Sequence, residues 1–254
     1  MNPAMATETF ESPEAMSFRT SITIVASPRP RVGKTLLARL VTDFHRHEGR
    51  AVAAFDLNGG EGTLAQFLPL QASVAAIDEI RGQMALFDSL VATDGAAKVV
   101  DLGHQAFEPF FALAEQIGFA EEAHARGIAP AVFFMLTPDR TSIEAYRNLR
   151  RRFPQVTLAP VHNDMFGPTQ HRDKYALGPG ETVIRLPILA PVLRKFVETP
   201  PFSFTDDSLG TTGVLPPEVQ IELEHWLRRM YLEFRELDLR ILLADLQSSI
   251  RLGS

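Results

Sequence analysis

The sequence predicts an α/β fold in which a mostly parallel sheet is flanked by helices and a long helix extends the chain at its C-terminal end. Two observations predict the sheet. Short, continuously apolar runs are typical of strands buried on both faces, and they alternate with amphipathic segments of helical periodicity. Such alternation builds right-handed βαβ units, whose strands run parallel. A third observation predicts the extension, because apolar residues recur at helical spacing from residue 219 to residue 242.

The elements of the first half follow from these patterns. The β-branched run SITIVAS predicts a strand at residues 21–27, and large apolar residues on one face predict a helix at 34–46. AVAAFDLN predicts a second strand at 51–58, followed by a short helix at 63–67. KVVDLG predicts a third buried strand at 98–103.

The second half continues the alternation. A helix is predicted at 107–126, and the run AVFFMLT predicts a strand at 131–137. The next helix, at 141–152, starts with Thr and Ser and ends in basic residues that suit its dipole. Strands are predicted at 157–162 and 181–189. The carboxyl ends of parallel strands are where such sheets bind ligands.

The amino-acid composition excludes several classes of function. The 254-residue chain is 45% hydrophobic and 22% charged, an ordinary globular balance. It contains no cysteine, which excludes disulfide scaffolds, cysteine-ligated zinc, iron–sulfur clusters and thiol catalysis, and fits a cytoplasmic location. A net charge of −6 does not favour nucleic-acid binding through a basic body. No continuous apolar run is long enough for a transmembrane helix.

One motif carries specific chemistry. Residues 28–35, between the first strand and the first helix, end in Gly33-Lys34-Thr35, the core of a Walker A phosphate-binding loop. Backbone N–H groups at a helix N-terminus bind phosphate. Lys34 would add a positive charge on the β- and γ-phosphates, and the Thr35 hydroxyl would ligate Mg²⁺. Gly33 allows the backbone to approach the ligand closely.

The loop departs from the glycine-rich pattern. Pro28 and Pro30 occupy positions where small residues are expected, and each proline removes an N–H donor and fixes φ. Charge-assisted hydrogen bonds from Arg29 and Arg31, worth about 1.5–3 kcal/mol each, would compensate for the missing donors. We therefore expect nucleotide binding despite the two prolines.

With these residues, the chain resembles the ParA/MinD family of P-loop ATPases, whose deviant Walker A loop reads Lys-Gly-Gly-x-Gly-Lys-Thr. The corresponding frame here is Arg29-Pro30-Arg31-Val32-Gly33-Lys34-Thr35. Arg29 takes the place of the family's signature lysine, which reaches the phosphates across an ATP-sandwiched dimer. The resemblance implies the same role for Arg29, although the two side chains differ in geometry. It also implies a Rossmann-like P-loop NTPase fold.

A second stretch strengthens the resemblance. Residues 49–68, GRAVAAFDLNGGEGTLAQFL, are similar to the family's GKRVLLIDLDPQGSLTQWL. Asp56 matches the aspartate that helps to organise Mg²⁺, and Asn58 stands at the aspartate that positions the attacking water. An amide orients water but cannot take its proton, so ATP hydrolysis is expected to be weak. Glu61 is the alternative group for positioning that water.

Three later segments match the family in the same order. KVVDLG resembles the Walker B strand, in which Asp101 would act on Mg²⁺ through water. APVHND resembles the strand end that contacts adenine, which places Asn163 near the base, and IRLPILAPVLRKF resembles a late loop around Pro187. The resemblance covers residues 19–200 and implies ATP or ADP with Mg²⁺ as cofactors.

The resemblance assigns each predicted site residue a role. The catalytic residues are Asp56, Asn58 and Glu61. The nucleotide contacts are Arg29, Arg31, Val32, Gly33, Lys34, Thr35, Leu36, Asn163 and Pro187. The metal ligands are Thr35, Asp56 and Asp101.

The predicted organisation has three parts. Residues 1–18 are expected to form a disordered leader, because they contain three glutamates and neither the basic residues nor the apolar core of a signal peptide. Residues 19–200 are predicted to form the P-loop nucleotide-binding domain. Residues 201–254 are predicted to form a linker and an amphipathic helix that completes the same domain, and this helix is expected to pack or dimerise rather than to bind a membrane.

The leading functional hypothesis is an ATP-dependent homodimer that positions or partitions a cargo through a protein partner or cargo adaptor, with slow or partner-dependent hydrolysis. Two alternatives stay open. The first is a non-hydrolysing nucleotide-binding scaffold, which Pro28, Pro30 and Asn58 favour. The second is an ATP-dependent ligase resembling dethiobiotin synthetase, whose loop also reads Val-Gly-Lys-Thr but whose second strand is followed by Lys-Pro-Val. DNA binding through a local arginine patch stays open, although the net charge does not support it.

Overall fold

A computed structural model describes residues 18–59, 63–167, 175, 177, 183–205 and 215–252 of the chain. Within these residues, seven strands are present: β1 (Ser21–Ala26), β2 (Val52–Leu57), β3 (Ala72–Val74), β4 (Ala97–Leu102), β5 (Pro130–Leu136), β6 (Thr157–Asn163) and β7 (Ile184–Leu186). The helices are α1 (Lys34–His47), α2 (Leu64–Phe67), α3 (Ile80–Val91), α4 (Phe107–Gln116), α5 (Phe119–Ala125), α6 (Arg140–Arg152), α7 (Pro191–Val197) and α8 (Pro217–Leu252).

The strands form one sheet in the order β3-β2-β4-β1-β5-β6-β7, and every pair is parallel. The predicted architecture is therefore confirmed: a parallel, Rossmann-like sheet flanked by helices, with a long C-terminal helix. The chain reverses its direction of strand addition at β1, which lies between β4 and β5. In open α/β sheets, ligands bind beyond the carboxyl ends of the strands at such a reversal.

Each central strand buries both of its faces. Side chains alternate along β1, so that Val25 packs in the layer that contains α1, α2, α7 and α8. Ile24 and Ala26 pack on the opposite side, in the layer that contains α3 to α6. All three side chains are at most 2% exposed. The continuous apolar runs in the sequence therefore reflect a sheet that is covered on both sides.

The long helix α8 closes one layer of the fold. It buries a stripe at helical spacing: Val219, Leu223, Trp226, Met230 and Phe234. The ring centroid of Phe234 lies 5.4 Å from that of Phe44 on α1, and the indole Nε1 of Trp226 donates a 3.1 Å hydrogen bond to the carbonyl oxygen of Pro187. Within the part of the chain that the structure describes, no helix combines the length and apolar character needed to span a bilayer.

A buried polar clamp ties the segment after α7 to α1. Arg39 is 2% exposed and donates hydrogen bonds to the carbonyl oxygens of Val197, at 2.8 Å, and Phe202, at 3.1 Å. The Asp43 carboxylate accepts a 2.6 Å hydrogen bond from the Phe204 N–H and a 3.0 Å bond from the Ser203 hydroxyl. Residues 202–205 are thus held against α1.

The sequence predictions differ from the structure at several elements. The helix predicted at 107–126 is divided into α4 and α5, because Gly118 adopts φ 65° and begins the second helix. Strand β3 and helices α3 and α7 were not predicted. Of the strand predicted at 181–189, residues 184–186 are a strand, and residues 181 and 182 lie outside the described residues. The predicted leader lies outside them as well, except for residue 18.

Candidate nucleotide-binding site

The candidate phosphate loop, residues 28–33, connects β1 to α1 at the carboxyl ends of the strands. Two of its residues have left-handed backbone conformations: Arg31 has φ 56° and Gly33 has φ 98°. A Cβ atom at Gly33 would lie 2.8 Å from the Asn163 side-chain nitrogen, so glycine is required there for space as well as for φ. The loop is therefore wrapped tightly around the start of α1.

Asn163, at the end of β6, is hydrogen-bonded to the backbone of the loop. Its side-chain Nδ2 donates a 3.1 Å hydrogen bond to the carbonyl oxygen of Val32, and its Oδ1 accepts a 3.0 Å bond from the N–H of Met165. The side chain is buried, with 5% of the residue exposed. Both functional groups of the amide are thus engaged by backbone in this state of the molecule.

Lys34 lies at the first position of α1 and is 6% exposed. Its ammonium donates a 2.7 Å hydrogen bond to the carbonyl oxygen of Arg29, so the loop folds over its own lysine. Burial lowers the pKa of Lys34, and the charge of Asp101 opposes that shift. The N–H groups of the first helical turn have no partners within the helix, and together with this cation they make the loop suited to an anionic ligand.

The Thr35 hydroxyl donates a 2.6 Å hydrogen bond to Oδ2 of Asp101, the penultimate residue of β4. Asp101 is fully buried, and its Oδ1 atom has no hydrogen-bond partner among the described residues. Burial raises the pKa of Asp101 to about 7; the nearby charge of Asp56 adds to this, and the Thr35 hydroxyl and the charge of Lys34 act against it. A hydroxyl and a carboxylate with a spare oxygen are ligands that Mg²⁺ prefers, so these residues fit that ion.

Asp56 stands beside Asp101 in the register of β2 and β4. It is fully buried, and each of its carboxylate oxygens accepts a backbone hydrogen bond: Oδ1 from Asn58 at 3.0 Å and Oδ2 from Ala65 at 2.8 Å. Asp56 therefore ties the end of β2 to the start of α2. Its charge lies next to the candidate metal site, as its effect on the pKa of Asp101 indicates.

An open pocket of about 400 Å³ lies over the loop and α1. Its lining comprises Pro30, Arg31, Val32, Gly33, Lys34, Thr35, Leu36, Asn58 and His104. The structure thus brings six of the predicted nucleotide contacts to one pocket, together with Asn58. A second cavity, of about 640 Å³, adjoins it and is also lined by Asn58 and His104.

Other predicted residues lie outside this pocket. The Arg29 side chain, 46% exposed, forms an ion pair of 3.4 Å with Asp139 at the N-terminus of α6. Asn163 lies beneath the loop, and Pro187 is buried beside Trp226. Glu61 lies outside the described residues.

Two residues at the site were not singled out in the sequence. His104 lines the pocket, and Asp139 pairs with Arg29. His104 and Asp139 each lie just after the carboxyl end of a predicted strand. Because ligands bind at the carboxyl ends of parallel strands, this position could have identified them.

Comparisons with known proteins add little to this geometry. No protein-family model matches the chain, and no curated protein matches it in sequence. Among solved structures, the chain is similar to the MinC:MinD cell division protein complex of Aquifex aeolicus, with 14% sequence identity and a TM-score of 0.40 over 83% of this chain and 95% of that chain. A likeness at this level carries no functional argument, so the function must be argued from the site.

Proposed function

We propose that this protein is a ParA/MinD-like nucleotide switch that binds ATP and ADP with Mg²⁺ at residues 28–35. One observation carries the proposal: Lys34, Thr35 and Asp101 meet at the carboxyl ends of β1 and β4, where the motif requires them. The left-handed Gly33 and the buried Lys34 support it further. Together they provide the cation, the hydroxyl and the carboxylate that a Mg²⁺–nucleotide complex needs.

The roles of the residues follow from their chemistry. Lys34 would leave the Arg29 carbonyl oxygen for the β- and γ-phosphates, with Arg31 adding a second positive charge at the mouth of the pocket. Thr35 would hold Mg²⁺ directly, with Asp101 acting through water and Asp56 adding negative charge. Bound Mg²⁺ would neutralise charge that develops on the phosphate oxygens. The remaining nucleotide contacts in this proposal are Val32, Gly33, Leu36, Asn163 and Pro187.

In the proposed switch, ATP closes a homodimer whose surface is recognised by a protein partner or cargo adaptor. Arg29 is the proposed cross-dimer residue. Its side chain is 46% exposed, and its ion pair with Asp139 is partly solvated, so the pair holds it only weakly in its present position. Closure would exchange that contact for a phosphate of the partner's nucleotide.

A non-hydrolysing scaffold is the second candidate, and specific residues favour it. Asn58 stands at the pocket where a carboxylate would position water, and an amide cannot take a proton from that water. Pro28 and Pro30 also remove N–H donors from the loop. The two candidates differ in turnover: ADP release that is abolished by Asp56→Ala supports the weak ATPase, whereas tight ATP binding without turnover supports the scaffold.

Calorimetric titration of Mg²⁺–ATP into wild type and Lys34→Ala tests the site itself. The lost charge-assisted contacts should weaken binding by at least about tenfold, because one such hydrogen bond is worth about 1.5–3 kcal/mol. Lys195→Ala is the matched control, since Lys195 is exposed on α7. Equal affinity of wild type and Lys34→Ala for ATP would refute the phosphate-loop assignment.

A further inference from the structure

The candidate site contains an unassigned proton acceptor. Among the described residues that line the phosphate pocket, Arg31 and Lys34 are cations, and Thr35 and Asn58 are neutral. His104 is the one remaining polar side chain of that lining. An imidazole can accept a proton near neutral pH, which guanidinium, ammonium, hydroxyl and amide groups do not do. His104 therefore has chemistry that the rest of the lining lacks.

The backbone immediately before His104 lies against Asn58. The Gly103 N–H donates a 3.2 Å hydrogen bond to the carbonyl oxygen of Leu57, so β2 and β4 remain in contact beyond the end of the sheet. A Cβ atom at Gly103 would lie 2.6 Å from that oxygen and 3.3 Å from Oδ1 of Asn58. Only glycine permits this approach, and His104 is the next residue of the chain.

Asn58 and His104 also share a position relative to the two cavities. Both residues line the phosphate pocket and the adjoining cavity of about 640 Å³. They therefore lie at the boundary between the two cavities. Side chains at such a boundary are well placed to orient a water molecule and to accept its proton.

We propose that His104 is the catalytic base of a slow ATP hydrolysis at this site, and that Asn58 orients the attacking water. This inference rests on the proposed nucleotide site. The water oxygen forms a bond to the γ-phosphorus, while the bond from that phosphorus to the β,γ-bridging oxygen breaks and its electron pair leaves with ADP. The proton of the water passes to an imidazole nitrogen of His104 and later to solvent. In this proposal, Asn58 orients the water and His104 accepts its proton.

Single-turnover hydrolysis and ATP affinity, measured on the same samples, test the proposal. His104→Ala and His104→Gln should each lower the rate constant by about 100-fold or more, the usual contribution of a general base, while ATP affinity stays within about threefold. Added imidazole should restore part of the rate to His104→Ala, which leaves space for it, and much less to His104→Gln. A structural role would not produce that rescue. His124→Ala, at an exposed site on α5, is the matched control.

The other outcomes are equally informative. An unchanged rate in both His104 variants, or loss of the rate in Glu61→Gln alone, would overturn the role of His104 and leave the nucleotide site standing. Wild type that binds ATP without any hydrolysis would also overturn it, and would favour the scaffold. Wild type that binds no ATP would overturn the proposed function itself. The glutamine variant keeps the test valid if the alanine variant does not fold.

Discussion

The hydroxyl of Thr35 donates a 2.6 Å hydrogen bond to the carboxylate of Asp101, which is 66 residues away in the sequence. This bond joins the first turn of α1 to the end of β4, and it leaves the second carboxylate oxygen buried without a partner among the described residues. A buried polar atom in that condition costs about 1–3 kcal/mol. A bound Mg²⁺ with its water shell would provide the missing partner.

Replacement of the hydroxyl gives the first prediction. Thr35→Val keeps the shape of the side chain but removes the metal ligand, so Mg²⁺ should no longer strengthen nucleotide binding in the variant. We expect the affinity for ATP in the presence of Mg²⁺ to fall by about 10- to 100-fold, which corresponds to the 1.5–3 kcal/mol of one charge-assisted contact. Calorimetric titration of ATP with and without Mg²⁺ measures this change in affinity. Thr141→Val, at an exposed position of α6, should bind ATP like wild type.

The second prediction concerns the close approach of β2 and β4. Gly103→Ala places a Cβ atom 2.6 Å from the carbonyl oxygen of Leu57, and that backbone atom cannot move aside easily. We expect a loss of about 1–3 kcal/mol in the free energy of unfolding, the usual cost of overpacking. Chemical denaturation measures this loss. Gly59→Ala is the control, because a Cβ atom there meets no heavy atom within 4 Å of the described structure. Equal stability of the two variants would contradict the packing argument.

The third prediction concerns the buried polar clamp between α1 and the segment after α7. Arg39→Met keeps the buried stem but removes the donors to the carbonyl oxygens of Val197 and Phe202. Two buried acceptors without partners should lower the free energy of unfolding by about 2–5 kcal/mol. Thermal unfolding reports the loss as a lower Tm. Arg140→Met, which removes an exposed ion pair with Glu144, should change stability by less than about 1 kcal/mol.

The fourth prediction is a pH dependence of folding. Burial lowers the pKa of His45 to about 3, and the charge of Arg50 contributes to the shift. The unfolded chain therefore binds one more proton than the folded protein at pH values between about 6.5 and 3. The contribution of neutral His45 to the free energy of unfolding is therefore fully present above about pH 6.5. It is lost as the pH falls from about 6.5 to about 3, by at most about 5 kcal/mol in total.

His45→Gln removes the titrating imidazole and tests whether His45 causes this pH dependence. The variant should lose less stability than wild type when denaturation is compared at pH 7 and at pH 5, because glutamine does not titrate. His47→Gln, on the exposed side of the same helix, should change the pH dependence far less. A wild-type pH profile in His45→Gln would show that His45 is not the residue responsible.

Much of the fold could be predicted because its signals are local. The central strands are continuously apolar, and the sequence Gly33-Lys34-Thr35 marks the turn from β1 to α1. Strand β3 lacks such a signal, since it has three residues and lies at the edge of the sheet. Helix α3 was missed because Gly82 interrupts its pattern, and that glycine is needed where a Cβ atom would lie 2.3 Å from the Ala76 carbonyl oxygen.

The unpredicted part of the site depends on long-range contacts. The motif identified Lys34 and Thr35, but no local pattern indicates that Arg29 pairs with Asp139, which is 110 residues later in the chain. No local pattern indicates that Asn163 donates to the Val32 carbonyl oxygen either, since the two residues are 131 positions apart in the sequence. Such contacts depend on which strands become neighbours, and the strand order is a property of the whole sheet.

The most direct test of the nucleotide site is a structure of the protein crystallised with Mg²⁺ and a non-hydrolysable ATP analogue. We predict phosphates on the loop at residues 28–35, with the Lys34 ammonium moved from the Arg29 carbonyl oxygen to a phosphate oxygen and Mg²⁺ on the Thr35 hydroxyl. An analogue bound at another place, with Lys34 still on the Arg29 carbonyl oxygen and Thr35 still on Asp101, would contradict the account.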